Sequence, residues 1–372
     1  MKITFPYMGP TTAYKKVLEF LGHDVIIPPK PSQRTIDLGV KYSPEFACFP
    51  FKVIMGSYLE AIELGADTVV TSGGCGPCRA GFYGEVHKRI LHNLGYDVNF
   101  IIFDSIFKGF RSFKNNFNAI RNHTPIGRLL RDLPLCWQMI KALDAFEKEI
   151  KVKRAYEITP GRLSKVWMEI QDLFDKAYTK PAFLEACKKG RELIDSVPLR
   201  EVAPDERIRI GVVGEILVTM EPTVNMEVES QLNTMGVEVE NIHCITEWLR
   251  HNTRPKIFGK SHAQKMIDLG AQYVQHAIGG HHQENVGSMV DFKRRGFDGI
   301  VHLMPFGCLP ELVTQSASAK LSKDLDMPIL TLTIDEQTGQ ANNTTRLEAF
   351  IDLVKNKKSQ QHRESSMERA SA

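Results

Sequence analysis

Short Val/Ile-rich runs alternate with stretches whose apolar residues recur every three to four positions, and the alternation occupies two separate spans of the chain. In the first, residues 1–105, Ile3–Pro6 reads as a strand and Thr12–Leu21 as a helix with Val17, Leu18 and Leu21 on one face, stopped by Gly22. Val25–Ile27 is the next strand, Phe51–Leu64 a helix ending at Gly65, and Asp67–Thr71 a buried strand. Gly81–Leu94 is a helix ended by Gly95, and Val98–Phe103 a strand. From Arg207 the rhythm returns, with strands at Ile208–Val213, Val237–Ile242, Gln272–Ala277, Gly299–Met304 and Ile329–Ile334. Helices are expected at Val224–Met235, Ala263–Leu269, Gly287–Arg295, Glu311–Asp324 and Arg346–Lys355. Strands separated by helices predict an α/β fold with mainly parallel, doubly wound sheets. The two spans look alike in plan, without a convincing sequence repeat.

Between them the pattern changes. Residues 106–205 are rich in Lys, Arg, Leu and Phe, poor in β-branched runs, and broken at Pro125, Pro134, Pro160, Pro181 and Pro198. Helical spacing dominates Leu133–Ile150 and Ser164–Ala177, which predicts a helical insertion or cap. The organisation is therefore an N-terminal α/β domain over 1–105, a helical segment over 106–205 and a C-terminal α/β domain over 206–355. The polar stretch 356–372 has no apolar period and is expected to be a disordered tail.

Bulk properties narrow the function by exclusion. Charged residues make up 24% and hydrophobic ones 42%, as in an ordinary soluble protein. No apolar run is long enough to cross a bilayer, and Met1–Pro6 reads as a strand rather than a secretory leader, so a cytoplasmic protein is expected. A net charge of +3 gives no reason to expect nucleic acid or a membrane surface as partner. Charge is uneven, however: Ile106–Arg200 carries 19 Lys/Arg against 11 Asp/Glu. That belt is either a solvated helical face or a meeting place for an acidic cofactor or partner.

Seven cysteines in a chain without an export signal should not be disulfides, so each is core filler, metal ligand or redox group. Four of them share a local grammar of Gly/Pro-rich loops. Cys48 lies in Pro44-Glu-Phe-Ala-Cys-Phe-Pro50, just before a helix. Cys75 and Cys78 lie in Ser72-Gly-Gly-Cys-Gly-Pro-Cys78, after the strand Asp67–Thr71. Cys308 lies in Met304-Pro-Phe-Gly-Cys-Leu-Pro-Glu311, also after a strand. Loops that follow parallel strands gather at the carboxyl edge of a sheet, so these cysteines can converge. Amides at the following helix N-termini would stabilise thiolate charge. These are the requirements of an oxygen-sensitive iron–sulfur cluster held by Cys48, Cys75 and Cys308, with Cys78 as the fourth ligand or a nearby thiol. Zinc is an alternative, though only one CxxC knuckle is present. Cys-Gly-Pro-Cys is also the tetrad of thioredoxin-like dithiol oxidoreductases, but Gly73-Gly74 replaces the flanking Trp. Cys136, Cys187 and Cys244 sit in regular helical or strand patterns and are read as structural.

A further loop, Gly279-Gly-His-His-Gln-Glu-Asn285, is expected at the same edge. His281 and Glu284 are its candidate catalytic residues, with Glu284 able to move a proton; the alternative is a helix-capping turn. Gly211-Val-Val-Gly-Glu-Ile-Leu217 is a weaker candidate ligand loop, and no Walker or dinucleotide fingerprint occurs.

Gly279–Asn285, His302–Glu311, Ile334–Glu336, Thr345–Phe350 and the Cys48 and Cys75 loops together resemble the 2-hydroxyacyl-CoA dehydratase / benzoyl-CoA reductase superfamily. Within it, the activase-related ("CoA protein activase") branch is the most similar. The resemblance implies two Rossmann-like domains with helical additions and a [4Fe–4S] or double-cubane cluster. It also implies transfer of low-potential electrons to a small-molecule substrate, such as an acyl-CoA, from an ATP-dependent activator or electron donor, with a homo- or heterodimer as the assembly. No CoA-pocket motif is recognisable, and the Gly-rich phosphate loops of the ATP-hydrolysing activators are missing. A non-catalytic cluster carrier or scaffold is the alternative from another class.

Overall fold

The computed structural model describes residues 1–72, 78–103, 110–121, 123–253, 259–337 and 339–371. The first α/β unit runs β1 (Lys2–Thr4), α1 (Thr11–Phe20), β2 (Asp24–Val25), α2 (Gln33–Tyr42), α3 (Phe49–Glu63), β3 (Thr68–Ser72), α4 (Tyr83–Asn93) and β4 (Asn99–Phe103). Four helices follow: α5 (Phe110–Arg121), α6 (Ile126–Lys153), α7 (Arg162–Asp175) and α8 (Lys180–Asp195). The second unit begins with β5 (Ile208–Gly214), α9 (Ile216–Met220), α10 (Val228–Thr234), β6 (Val237–Asn241), α11 (Ile245–Thr253) and α12 (His262–Gly270). It ends with α13 (His282–Arg294), β7 (Gly299–Pro305), α14 (Leu309–Asp324), β8 (Ile329–Ile334) and α15 (Gln340–Ser371).

Each unit holds a four-stranded, all-parallel sheet, in the orders β2-β1-β3-β4 and β6-β5-β7-β8. The orders are equivalent: in each, the second strand of the unit lies outside the first and the third pairs on its other side. Parallel strands require crossovers, so helices cover the sheets and the central strands are buried on both faces, as in the fully buried run Gly299–Pro305. Among the described residues no helix is long and apolar enough to cross a membrane.

A second equivalence lies in the helix pairs α2/α3 and α12/α13. A methyl group placed on Gly39 would collide with the Lys52 carbonyl, and one on Gly56 with the Thr35 carbonyl. In the second unit, Gly270 meets the Gln283 carbonyl and Gly287 the Met266 carbonyl, at the same sequence offsets. Only glycine permits backbones to approach this closely. The two units are thus built around one motif, used twice.

They are also packed together. Phe49 and Val53 of α3 enter the hydrophobic core formed by Ile210, Val212, Leu303 and Leu332 of the second sheet. Lys52 pairs with Glu336 at 2.6 Å across the junction, and the Phe49 amide donates to the Phe306 carbonyl at 3.3 Å. The long helix α6 touches α1 on one side and β6 and α11 on the other.

Four expectations are corrected. Gln272–Ala277 is a turn, not a strand: α12 ends at Gly270, and Gln272, Gln275, His276 and Ala277 are exposed. Helix α13 starts at His282, so Glu284 and Asn285 lie in its first turn rather than in a loop. Pro134 does not break the helical segment; α6 continues through it, with Leu129, Asp132, Cys136 and Met139 buried on either side. The stretch 356–371, expected to be disordered, continues α15 to Ser371. Helix α2, absent from the sequence reading, starts from a Ser32/Thr35 capping box.

Candidate metal centre

Cys48, Cys78 and Cys308 each occupy the residue just before a helix: α3, the short 3-10 turn Arg79–Phe82 and α14 respectively. Pro50 and Pro310 stand in the first turns of α3 and α14, where a missing N–H removes nothing that the helix would use. Each sulfur therefore faces amides that have no partner inside the helix. The amides of Phe51, Ala80 and Glu311 favour the thiolates of Cys48, Cys78 and Cys308 in turn.

The three loops meet where the units face one another. Gly307 leans on Cys48: a methyl group on it would lie 3.5 Å from Cys48 Cα and 3.8 Å from Cys48 Cβ. Gly280 does the same for Cys78, its added methyl lying 3.6 Å from Cys78 Sγ. The contacts are reciprocal, because Gly279 stands as far before Gly287 as Cys48 stands before Gly56. Each unit thus presses its own strand-to-helix loop against the other's α3 or α13 entry.

Burial dominates the electrostatics. It raises the Cys48 thiol, opposed by the Tyr83 hydroxyl, and raises Cys78, whose neighbours include Glu215, Cys48 and Glu311. Cys308 is raised further, by burial and then by the charges of Glu311 and Glu215, with Cys48 contributing. Glu215, at the N-cap of α9, accepts from the Val218 amide at 3.0 Å, yet burial lifts its carboxyl to about 7. Uncompensated thiolates in such a place are costly, so a cationic centre bound to them would relieve the charge.

Behind Cys48, the Tyr83 hydroxyl lies 2.6 Å from its sulfur. Tyr83 is held in an aromatic box, 5.2 Å from Phe51 edge-on, with His87 stacked on Phe51 at 3.9 Å. Buried His87 donates to the Phe51 carbonyl, and burial lowers its pKa to about 3, so it stays neutral. Behind Cys308 lies a buried polar network. Asn285 Nδ2 is 2.9 and 2.8 Å from the two Glu311 oxygens and 3.2 Å from the Gly214 carbonyl. His302 Nε2 donates to Glu311 at 2.8 Å, which leaves Nδ1 to accept from Thr331 at 3.2 Å.

Of the sequence candidates, the structure brings together Cys48, Cys78 and Cys308. Cys75 lies outside the described residues. His281, the N-cap residue of α13, has its ring 4.7 Å from that of His243; burial lowers its pKa to about 3, opposed by the charge of Glu311. Glu284 is raised to about 7 by burial and by the charge of Glu247 of α11. Cys136 is buried inside α6 and Cys187 half-buried in α8, the helical context expected of both. Cys244 departs from its expected regular context: it precedes α11 at the carboxyl end of β6, beside Asp144. Asn285 and Glu215 belong to the two further candidate loops of the sequence, whereas Tyr83, His302 and Glu311 were not singled out as parts of the site. Of those three, Glu311, three residues after a loop cysteine, carried a local signal.

Cys48, Cys78 and Cys308 are the residues that could hold a thiolate-bound group, and the Arg79 guanidinium favours the Cys48 thiolate. Among the described residues no three His, Cys, Asp or Glu side chains converge tightly enough for a single metal ion. A polynuclear cluster spreads its thiolates over several irons, so it asks for a wider frame than one ion does. No protein-family model matches the chain, and no curated protein is significantly similar to it.

Proposed function

We propose that the protein is a redox protein whose two Rossmann-like, doubly wound units, joined by a helical insertion, hold an iron–sulfur cluster between them. Cys48, Cys75, Cys78 and Cys308 are its ligands. The carrying observation is that three helix-capping cysteines, supplied by both units, meet at one buried junction. When bound, a [4Fe–4S] or double-cubane cluster supplies one-electron chemistry at low potential. The chain's own residues then stabilise the added negative charge: the amides of Phe51, Ala80 and Glu311 and the Tyr83 hydroxyl all face the sulfurs. Glu215, lifted to about 7 by burial, can hold a proton on its carboxyl beside them at neutral pH.

The likeness to 2-hydroxyacyl-CoA dehydratase components favours a small-molecule acceptor and a separate protein donor. Phe46, Phe82 and Phe306, within four residues of Cys48, Cys78 and Cys308 respectively, are 78%, 65% and 62% exposed. Such a rim is what a transient partner would cover. Anaerobic purification, iron and sulfide quantitation and electron paramagnetic resonance of the reduced protein test the proposal. A cluster signal with stoichiometric iron and sulfide is expected. Iron-free protein after anaerobic reconstitution, or a Cys75/Cys78 pair that cycles with dithiothreitol, defeats it.

A further inference from the structure

At the opposite end of the second sheet from the cysteine loops lies a cleft of about 800 Å³, lined by Lys153, Tyr156, Arg200, Arg207 and Glu238. It opens at the amino ends of β5 and β6: Arg207 directly precedes β5, and Glu238 is the second residue of β6. Its wall is the connection from α8 to β5, which is firmly seated. Leu199 bridges to Glu157, and the Arg200 amide donates to the Tyr156 carbonyl at 2.7 Å.

Two arginines organise this wall. Arg200 Nη2 donates to the Ala155 carbonyl at 3.1 Å and, among the described residues, pairs with no carboxylate. Arg207 Nε donates to the Val202 carbonyl at 3.1 Å, while its guanidinium lies over the Tyr156 ring at 5.4 Å. Glu238 on the floor is already engaged by the Tyr156 hydroxyl at 2.7 Å, by Arg207 at 3.7 Å and by Arg209 at 3.5 Å. Glu201 also lines the cleft, and Lys153 is paired with Glu149 and Asp195. The lining itself carries Lys153, Arg200 and Arg207 against Glu201 and Glu238, a surplus of one positive charge. A seated guanidinium with free donors matches phosphate oxygens in pairs, which a point-charge ammonium does not. The volume lies in the range of small-ligand sites and exceeds what one phosphate would fill.

We propose that this cleft binds a ligand bearing a diphosphate group, with Arg200 and Arg207 as its two anchors. The proposal does not depend on the cluster. The ligand is either inorganic pyrophosphate or a diphosphate carried on a nucleoside, and the two are separated by titrating the full-length protein calorimetrically with pyrophosphate and with ADP. Saturable binding is expected. Equal affinity for the two identifies the diphosphate alone as recognised, and tighter ADP binding identifies the nucleoside-borne form. Exposed Arg200 can be changed without disturbing the core: Arg200→Ala should keep the melting temperature and weaken binding about tenfold or more. Arg200→Lys, which keeps the charge but not the fork, should recover only part of that loss. No saturable heat with either ligand, or unchanged affinity in Arg200→Ala, overturns the proposal.

Discussion

The Tyr83 hydroxyl lies 2.6 Å from the Cys48 sulfur and joins an α4 side chain to the entry of α3. A phenol donates readily to a thiolate, and burial with the Cys48 charge holds Tyr83 well above its ordinary pKa, so it keeps its proton. Tyr83→Phe removes this donor and little volume. In metal-free protein, alkylation of Cys48 at pH 8 should slow by about three- to tenfold as the thiolate becomes less favoured. In reconstituted protein the reduction potential should fall, since a donor to a ligand sulfur stabilises the reduced state. Unchanged alkylation and potential would show the contact to be packing only.

The glycine crossings make a stability prediction that runs against helix propensity. Gly→Ala inside a helix usually stabilises by up to about 1 kcal/mol. At Gly39 and Gly287 the new methyl meets backbone that cannot rotate away. Gly39→Ala and Gly287→Ala should each cost on the order of 3 kcal/mol in urea unfolding, through overpacking. Gly127→Ala in α6, with open space around it, should be neutral or better.

Ligand identity can be read from iron content. Cys48→Ser, Cys75→Ser and Cys308→Ser should abolish the cluster, while Cys78→Ser should keep one with an altered spectrum. Cys136→Ala, Cys187→Ala and Cys244→Ala should retain full iron. Loss of iron from folded Cys244→Ala would extend the site to β6 and revise the assignment.

Glu221 provides a test by pH. It is 1% exposed, one carboxyl oxygen has no partner, and burial raises its pKa to about 8. Lys30 opposes that rise, while Glu227 and Glu147 add to it, and the Glu221 charge in turn raises Tyr7. A carboxyl raised on folding binds its proton more tightly in the native state. Its favourable contribution is complete below about 4.5 and is lost as pH climbs through about 8. Glu221→Gln should therefore match the parent protein near pH 4.5 and exceed it by on the order of 2 kcal/mol at pH 9. A stability difference that does not change with pH would refute this.

The sequence made the outline of the fold legible where physics is local. Strands such as Ile208–Gly214 and Gly299–Pro305 are apolar runs interrupted only by Arg209 and His302, and Gly22, Gly65, Gly95, Gly236 and Gly296 end helices with left-handed backbone. Helix α2 was hidden because Gly39 looks like a breaker, and its reason for being glycine lies on α3. Tyr273 and Val274 imitate a strand, but their apolar side chains pack beside Val286 and Phe292 without joining a sheet. In the site, the cysteine loops announced themselves through Gly and Pro. The residues behind them did not: Tyr83 reaches Cys48, and Asn285 reaches Glu311, through contacts that exist only after folding.

The reciprocal seating of Gly307 on Cys48 and Gly280 on Cys78 also sets an order of manufacture. A ribosome delivers the first unit, with Cys48 and Cys78, long before residue 308 emerges. At ordinary elongation rates the interval is on the order of tens of seconds. Throughout it the early thiols lack the surface that will enclose them. Any inorganic cargo must then be loaded after the second unit docks, or be guarded by another protein until it does.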